Sequence, residues 1–152
     1  MTSGRRLADV RSRALSRFHH AVLVVTGWHV AARVAGMQIV VLHVVGRRSG
    51  RSRTVVLSAP IAGPSRIVLV ASRGGDDRHP EWYRNLVVHP EVELTIGGRT
   101  RAMIARTAIG DERAELWRRV VGAYRGYEAY QRRTSREIPL VVCELREPSR
   151  PD

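Results

Sequence analysis

A series of short β-branched runs separated by turn signals constrains the fold more than any other feature of the chain. The clearest part is residues 92–108, VELTIGGRTRAMIARTA, where two alternating segments joined at Gly97-Gly98 predict a β-hairpin. Further runs rich in Val, Ile and Leu predict strands at residues 37–45, 53–62, 67–72 and 138–145. About six short antiparallel strands would close well into a small barrel.

Helical patterns separate these strands. Pro80 suits the first turn of a short helix, whose apolar stripe begins at Trp82. Residues 112–124 and 125–133 predict two further helices, and the N-terminal third reads as helical to about Val34. The prediction is an α+β, mainly β fold in three parts: an N-terminal helical segment at residues 1–36, a barrel domain at 37–146 and a flexible tail at 147–152.

The charge of the chain predicts an anionic partner. The 152 residues carry a net charge of +12, and all 26 basic residues are arginine. Cys143 is the only cysteine, so no internal disulfide can form and we expect a cytoplasmic location. The arginines scattered along the N-terminal helix leave open a peripheral contact with the inner face of the membrane.

The charge is densest at residues 46–53, GRRSGRSR, which hold four arginines between the first two predicted strands. The octet lacks the lysine and the spacing of a P-loop. Backbone amides and arginine forks can still hold a phosphate there, and the alternative is a solvated turn. No cluster has metal-ligand spacing, and Ser49 and Ser72 have no evident base, which disfavours a hydrolase.

Four motifs in order resemble those of the deazaflavin-dependent nitroreductases. GRRSGRSR is similar to that family's Gly-Arg-[Lys/Arg]-[Ser/Thr]-Gly-x-x-Arg loop, and VASRGG to its Ala-Ser-Lys-Gly-Gly. HPEWYRNLVVHPEV and YRGYEAYQRRTSREIPLVVCE resemble its Pro-x-Trp-Tyr-x-Asn-Leu and Tyr-x-x-Tyr-x-x-Tyr-Gln segments. The resemblance covers roughly residues 41–144. It implies a split β-barrel that binds coenzyme F420, a polyanion with a phosphate and an oligoglutamate tail.

The resemblance also implies an activity and its residues. The expected reaction passes a hydride from reduced coenzyme F420 to an electron-poor small molecule such as a quinone, an enone or a nitroaromatic. The implied cofactor-binding residues are Arg47, Arg48, Ser49, Arg53, Val55, Val56, Ala71, Ser72, Arg73, Gly74, Trp82 and Asn85. The tyrosines that would line the substrate side are Tyr124, Tyr127 and Tyr130. The catalytic candidates are Tyr127, Tyr130 and Ser72.

Several alternatives stay open at this point. The same barrel could bind flavin mononucleotide, haem or a fatty acid, and a basic protein could bind nucleic acid or an anionic membrane without catalysis. The aromatic residues lie apart from GRRSGRSR, so nucleic acid is not an expected partner. The spacing of the three tyrosines also suits a core stripe, and Trp82 suits the core as well as a pocket wall. Both a monomer and a homodimer are compatible with the sequence.

Overall fold

The computed structural model describes residues 33–34 and 36–147. Most of the predicted N-terminal helix and most of the predicted tail lie outside the described residues. Arg33–Val34 form a two-residue strand that pairs antiparallel with Met37 and Gln38. The prediction that helix continues to about Val34 is therefore wrong at its last two residues. Gly36, at φ +77°, lies in the tight turn between the two paired segments.

In the part of the chain that the structure describes, eight strands form one sheet: β1 (Arg33–Val34), β2 (Met37–Val45), β3 (Ser52–Ala59), β4 (Ile61–Ala62), β5 (Arg66–Val70), β6 (Glu91–Ile96), β7 (Arg99–Thr107) and β8 (Leu140–Leu145). The hairpin predicted at Gly97-Gly98 is confirmed, since Ile96 pairs with Arg99 across it. The strand predicted at residues 53–62 is broken at Pro60, which has no N–H to give to a ladder. Its longer part pairs with β2, and only β4 pairs with β5.

The sheet follows the order β1-β2-β6-β7-β8-β5-β4, with β3 on the other edge of β2. All of its pairings are antiparallel. The sheet curls until β3 approaches β5 without pairing to it. The predicted mainly β fold is confirmed as a curled antiparallel sheet with short helices between its strands.

The inner face of the curled sheet holds the main core. Leu42, Leu94 and Leu69 are fully buried there. The chain positions this core by alternation, because every second side chain of a strand points to the same face. One short helix adds Trp82 and Leu86 to the same cluster.

Among the described residues, three helices lie between the strands: α1 (Glu81–Val88), α2 (Gly110–Ala123) and α3 (Gly126–Arg132). A 3₁₀ turn at Arg73–Gly75 precedes α1. Leu116 and Val120 of α2 join Tyr127 of α3 in a second buried cluster, on the outer face of β5 and β8. No helix in the part of the chain that the structure describes is long and apolar enough to cross a membrane.

Candidate functional site

The arginine-rich octet forms the connection between β2 and β3. The Gly46 N–H donates to the Arg51 carbonyl at 2.8 Å, and the Gly50 N–H donates to the Gly46 carbonyl at 2.9 Å. Gly50 has a φ of +67°, and a Cβ on Gly46 would lie 2.7 Å from the Ser49 Oγ. Both glycines are therefore needed for the tight turn. The arginine side chains of the turn point to solvent or to a neighbouring element.

Arg47 fastens this loop to α1. Its Nη1 donates to Glu81 Oε2 and to Asn85 Oδ1, both at 2.8 Å, and its main-chain N–H donates to the same Asn85 oxygen at 3.1 Å. The Arg47 side chain is only 14% exposed. Its hydrogen bond lowers the pKa of Glu81, with the charges of Arg47 and Arg84 adding to the effect. Arg47 and Asn85, two predicted cofactor residues, are thus in direct contact with each other.

The other arginines of the loop have no such anchor. Arg48, Arg51 and Arg53 are exposed, as is Ser49. Within the described residues, their guanidinium groups make no hydrogen bond or ion pair. Three positive charges on a pinned loop form a cluster that can bind phosphate or carboxylate groups bidentately.

Strand β3 carries the predicted contacts at Val55 and Val56. Val55 packs against the inner core, and Val56 is buried on the opposite face with Ile39 and Val41. Within the described sheet β3 pairs only with β2. Alternate amides of β3 therefore face away from its neighbour and can donate to a ligand.

The second predicted motif forms a strained loop after β5. Ala71 and Ser72 are buried, and the Ser72 carbonyl accepts from the Gly75 N–H at 2.9 Å. Arg73, Gly74 and Gly75 have φ values of +46°, +64° and +85°. Arg73 is the only residue other than glycine with a positive φ in the part of the chain that the structure describes. A left-handed backbone costs such a residue about 1–2 kcal/mol.

Trp82 and Asn85, the predicted residues of α1, are both buried. Trp82 is 9% exposed in the inner core, and its ring meets Tyr83 edge-on at 6.3 Å. Tyr83 in turn shares a hydrogen bond of 2.9 Å with the Thr107 hydroxyl, which ties α1 to β7. The packing role that the sequence allowed for Trp82 is therefore present.

The three predicted tyrosines form one aromatic cluster at α3. Their ring centroids lie 5.1 to 6.4 Å apart. Tyr127 is 6% exposed, and its hydroxyl donates to the Met37 Sδ at 3.5 Å. Burial raises the pKa of Tyr127, and burial together with a hydrogen bond to Tyr124 raises the pKa of Tyr130. Tyr124 and Tyr130 are only half-buried, so they can still meet a ligand.

Arg136 is a polar anchor that sequence reasoning missed. Its Nη1 donates to the Ala71 carbonyl at 3.2 Å and its Nη2 to the Ser72 carbonyl at 2.8 Å. Its Nε donates to the Asp76 carbonyl at 2.8 Å, and its Nη1 also contacts His79 Nδ1 at 3.1 Å. Desolvation by burial lowers the pKa of Arg136. The only available signal was its place inside the motif YRGYEAYQRRTSREIPLVVCE.

These contacts join the four motifs into one network. Asn85 links the arginine loop to α1. His79, just before α1, packs its ring at a tilt against Tyr83, with centroids 5.0 Å apart, and also contacts Arg136. A depression of about 280 Å³ on the outer face of the sheet, near His43 and Glu93, contains none of the predicted site residues. Among residues 33–34 and 36–147, no group of three His, Cys, Asp or Glu side chains could hold a metal ion.

Comparison with known proteins identifies the family to which this chain belongs. A family model described as F420H(2)-dependent quinone reductase matches residues 2–145. The chain belongs to this family. It is 35% identical over 136 residues to an F420H(2)-dependent quinone reductase of Mycobacterium tuberculosis, and the match covers 87% of this chain and 91% of that protein.

Solved structures agree with this assignment. A structure described as an F420-H2 dependent reductase (FDR-A) is 36% identical, has a TM-score of 0.64, and the match covers 70% of this chain and 93% of that one. A second, described as a domain-swapped dimer, is 31% identical with a TM-score of 0.67, over 94% of this chain and all of the other, 100%. A haem-binding protein of Mycobacterium smegmatis, 18% identical with a TM-score of 0.57 over 74% of this chain and 48% of that one, shares the fold alone.

The family assignment confirms the resemblance found in the sequence. The prediction of a deazaflavin-dependent oxidoreductase, with coenzyme F420 as its cofactor, is confirmed at the level of the family. The contacts of individual residues with cofactor and acceptor stay predictions.

Proposed function

We propose that the protein uses reduced coenzyme F420 to reduce a small quinone, with enones and nitroaromatics as further acceptors. The observation that carries this proposal is the arginine loop. One of its arginines, Arg47, is hydrogen-bonded to Glu81 and Asn85 within the fold. The side chains of Arg48, Arg51 and Arg53 are exposed and have no hydrogen-bond or ion-pair partner among the described residues. A cofactor with a phosphate and a tail of carboxylates has the complementary charge.

In the proposed complex, Arg48 and Arg53 bind the phosphate and the nearest carboxylates. The outward amides of β3 near Val55 and Val56 and the loop from Ala71 to Gly74 face the ring system. When bound, reduced coenzyme F420 supplies the hydride, and the protein supplies orientation and electrostatics. The Ser72 hydroxyl has no hydrogen-bond partner among the described residues, so a ligand can engage it.

The tyrosine cluster is the proposed acceptor side. Tyr124 and Tyr130 present phenols at a boundary between an apolar core and solvent, which suits a ring-shaped acceptor with a polar oxygen. Tyr127, whose hydroxyl donates to the Met37 sulfur in the core, packs against the other two rings on their buried side. The Tyr130 hydroxyl is protonated at neutral pH, as a phenol ordinarily is, so in this proposal it donates a hydrogen bond to the acceptor oxygen. Burial and the hydrogen bond to Tyr124 raise its pKa further.

Assembly and location are part of the same proposal. The solved relative described as a domain-swapped dimer supports a homodimer over a monomer, and analytical ultracentrifugation distinguishes the two. The cytoplasmic location stays a prediction from the sequence. The sequence leaves open a peripheral contact of the N-terminal helix with the inner face of the membrane, and most of that predicted helix lies outside the described residues.

Isothermal titration with two cofactors tests the proposal. We expect oxidised coenzyme F420 to bind more tightly than flavin mononucleotide, because the arginine loop can meet a carboxylate tail that the flavin lacks. A clear preference for flavin mononucleotide would overturn the cofactor assignment for this chain.

Two arginine variants test the site. Arg53→Ala should weaken binding of coenzyme F420 by about 1.5–3 kcal/mol, the range of a hydrogen bond to a charged group, or roughly 10- to 150-fold in Kd. Arg99→Ala is the matched control, because Arg99 is also exposed but starts β7 in the distal hairpin. Equal losses in both variants would mean that net charge attracts the cofactor without a defined site.

A further inference from the structure

Residues 133–136, directly after α3, support the strained loop along its length. Arg133 Nη1 donates to the Gly74 carbonyl at 3.2 Å. The Thr134 hydroxyl donates to the Asp77 carboxylate at 2.9 Å. Together with the bonds from Arg136, these contacts reach the loop on both sides of its 3₁₀ turn.

Arg136 makes the largest share of this support. Its three carbonyl partners are Ala71 and Ser72, which precede the left-handed turn, and Asp76, which follows it. A guanidinium group has five donors in a fixed plane, so it can join three carbonyls that a single ammonium cannot span. Replacing it would remove the side-chain donor of the partly buried Ala71 and Asp76 carbonyls and would leave the Ser72 carbonyl with the Gly75 N–H alone.

The turn between those carbonyls is strained. Arg73 adopts a φ of +46°, next to Gly74 and Gly75 in the same left-handed region. Such a conformation persists only where surrounding contacts over-determine it, and it is enriched at ligand-binding sites. The bonds from Arg136 hold both ends of this turn, so they fix the direction of the Arg73 Cα–Cβ bond.

The same support reaches the tyrosines. A Cβ on Gly75 would lie 2.6 Å from the Tyr130 carbonyl and 2.9 Å from the Arg133 Cβ, so the loop and α3 are in close contact. The Arg133 guanidinium also lies over the Tyr130 ring, 5.5 Å from its centroid. A shift of the loop would therefore move the proposed acceptor side together with the cofactor side.

We propose that Arg136 is a positioning residue, which fixes the Ala71–Asp76 loop in its binding geometry before the cofactor arrives. This inference rests on the proposed function, in which that loop faces coenzyme F420. Among the described residues, the Arg136 side chain hydrogen-bonds to the loop and to His79, so its effect on the cofactor is indirect.

The experiment compares Arg136→Gln with a matched control, Arg113→Gln. Arg113, on α2, is also poorly exposed: it donates to the Ile138 carbonyl at 2.9 Å and pairs with Glu137 Oε1 at 2.9 Å, and among the described residues it makes no hydrogen bond or ion pair with the Ala71–Asp76 loop. Arg136→Lys keeps the charge and serves as the second variant if Arg136→Gln does not fold. Three quantities are measured on each protein: the melting temperature, the hydrogen exchange of the Gly75 and Asp76 amides without ligand, and the Kd of oxidised coenzyme F420.

We expect Arg136→Gln to speed exchange of the Gly75 and Asp76 amides by about tenfold or more and to raise the Kd by a similar factor. Arg136→Lys should fall between Arg136→Gln and the wild type. Arg113→Gln should lower the melting temperature while exchange and Kd stay within about twofold of the wild type.

Three results would overturn the inference. Unchanged exchange in Arg136→Gln would show that the guanidinium does not hold the loop, and faster exchange with an unchanged Kd would show that the hold does not serve the cofactor. Equal effects in Arg113→Gln would indicate general destabilisation. A wild-type protein that binds no coenzyme F420 would refute the proposed function, and with it the cofactor role of Arg136, while the exchange data would still report on the loop contact.

Discussion

Asn85→Ala should uncouple the arginine loop from α1. The Asn85 amide is 7% exposed, and its oxygen accepts from both the Arg47 N–H and the Arg47 Nη1. The neutral bond contributes about 1 kcal/mol. The charged bond adds roughly 1–2 kcal/mol, toward the low end of its range because Glu81 still holds the same Nη1. A loss of about 2–3 kcal/mol lowers the melting temperature by roughly 4–12 °C in a domain of this size.

Thermal unfolding followed by circular dichroism measures this loss, and titration with oxidised coenzyme F420 measures its effect on binding. Asn85→Asp keeps an acceptor oxygen at the same place and should retain most of the stability. Arg84→Ala removes an exposed ion pair with Glu81 on the same helix and should change the stability by at most about 0.5 kcal/mol. If Asn85→Asp is destabilised as much as Asn85→Ala, or if neither variant unfolds at a lower temperature, the two hydrogen bonds do not anchor the loop.

The remaining predictions concern the tyrosines, the close contact of the loop and a histidine. Tyr130→Phe should lower kcat with a quinone and leave the Kd of coenzyme F420 unchanged. The loss of kcat should reach about 10²–10⁴-fold if the Tyr130 hydroxyl passes a proton. Tyr127→Phe should leave kcat near the wild-type value. Gly75→Ala should lower the free energy of unfolding by about 2–5 kcal/mol, and Gly98→Ala by about 1–2 kcal/mol, as thermal unfolding would measure. Both glycines have a similar positive φ, but of the two only Gly75 has atoms within 3 Å of an added Cβ. Burial and two neighbouring arginines lower the pKa of His79 from 6.5, so its contribution to stability should be complete above about pH 6.5 and disappear as the pH falls through its lowered pKa. His79→Asn should flatten that part of the stability curve, and an unchanged slope would contradict the assignment.

Local signals were enough to predict much of the fold. The β6–β7 hairpin was predictable because Gly97-Gly98 fixes a tight turn within a few residues of both strands. The short helix α1 was predictable because Pro80 sets its start and the apolar stripe its period. The break of the second predicted strand was also encoded, at Pro60, but a continuous apolar run outweighed that signal. What decides these elements lies within one turn of the residues concerned.

Pairings between distant segments were not predictable in this way. The two long edges of β2 are taken by β3, its neighbour in sequence, and by β6, about fifty residues later. Nothing in an apolar run specifies which of several similar runs will lie beside it. The anchoring by Arg136 was hidden for a related reason, because three of its four partners are main-chain carbonyls, which every residue type provides.

Burial, and not charge density, separates the roles of the arginines in the octet. Arg47 and Arg53 are identical side chains six residues apart, yet Arg47 lies against Asn85 and Glu81 of α1, and Arg53 is exposed. Each ion pair or hydrogen bond that an arginine forms within the fold lowers its availability for a ligand, since the ligand must then compete with the existing partner. The arginines that attract an anionic cofactor are therefore those that the fold leaves alone. Arg47, which bonds to α1, keeps the other arginines in place. Without those bonds the loop would have to become ordered when the cofactor binds, and that ordering would lower the affinity.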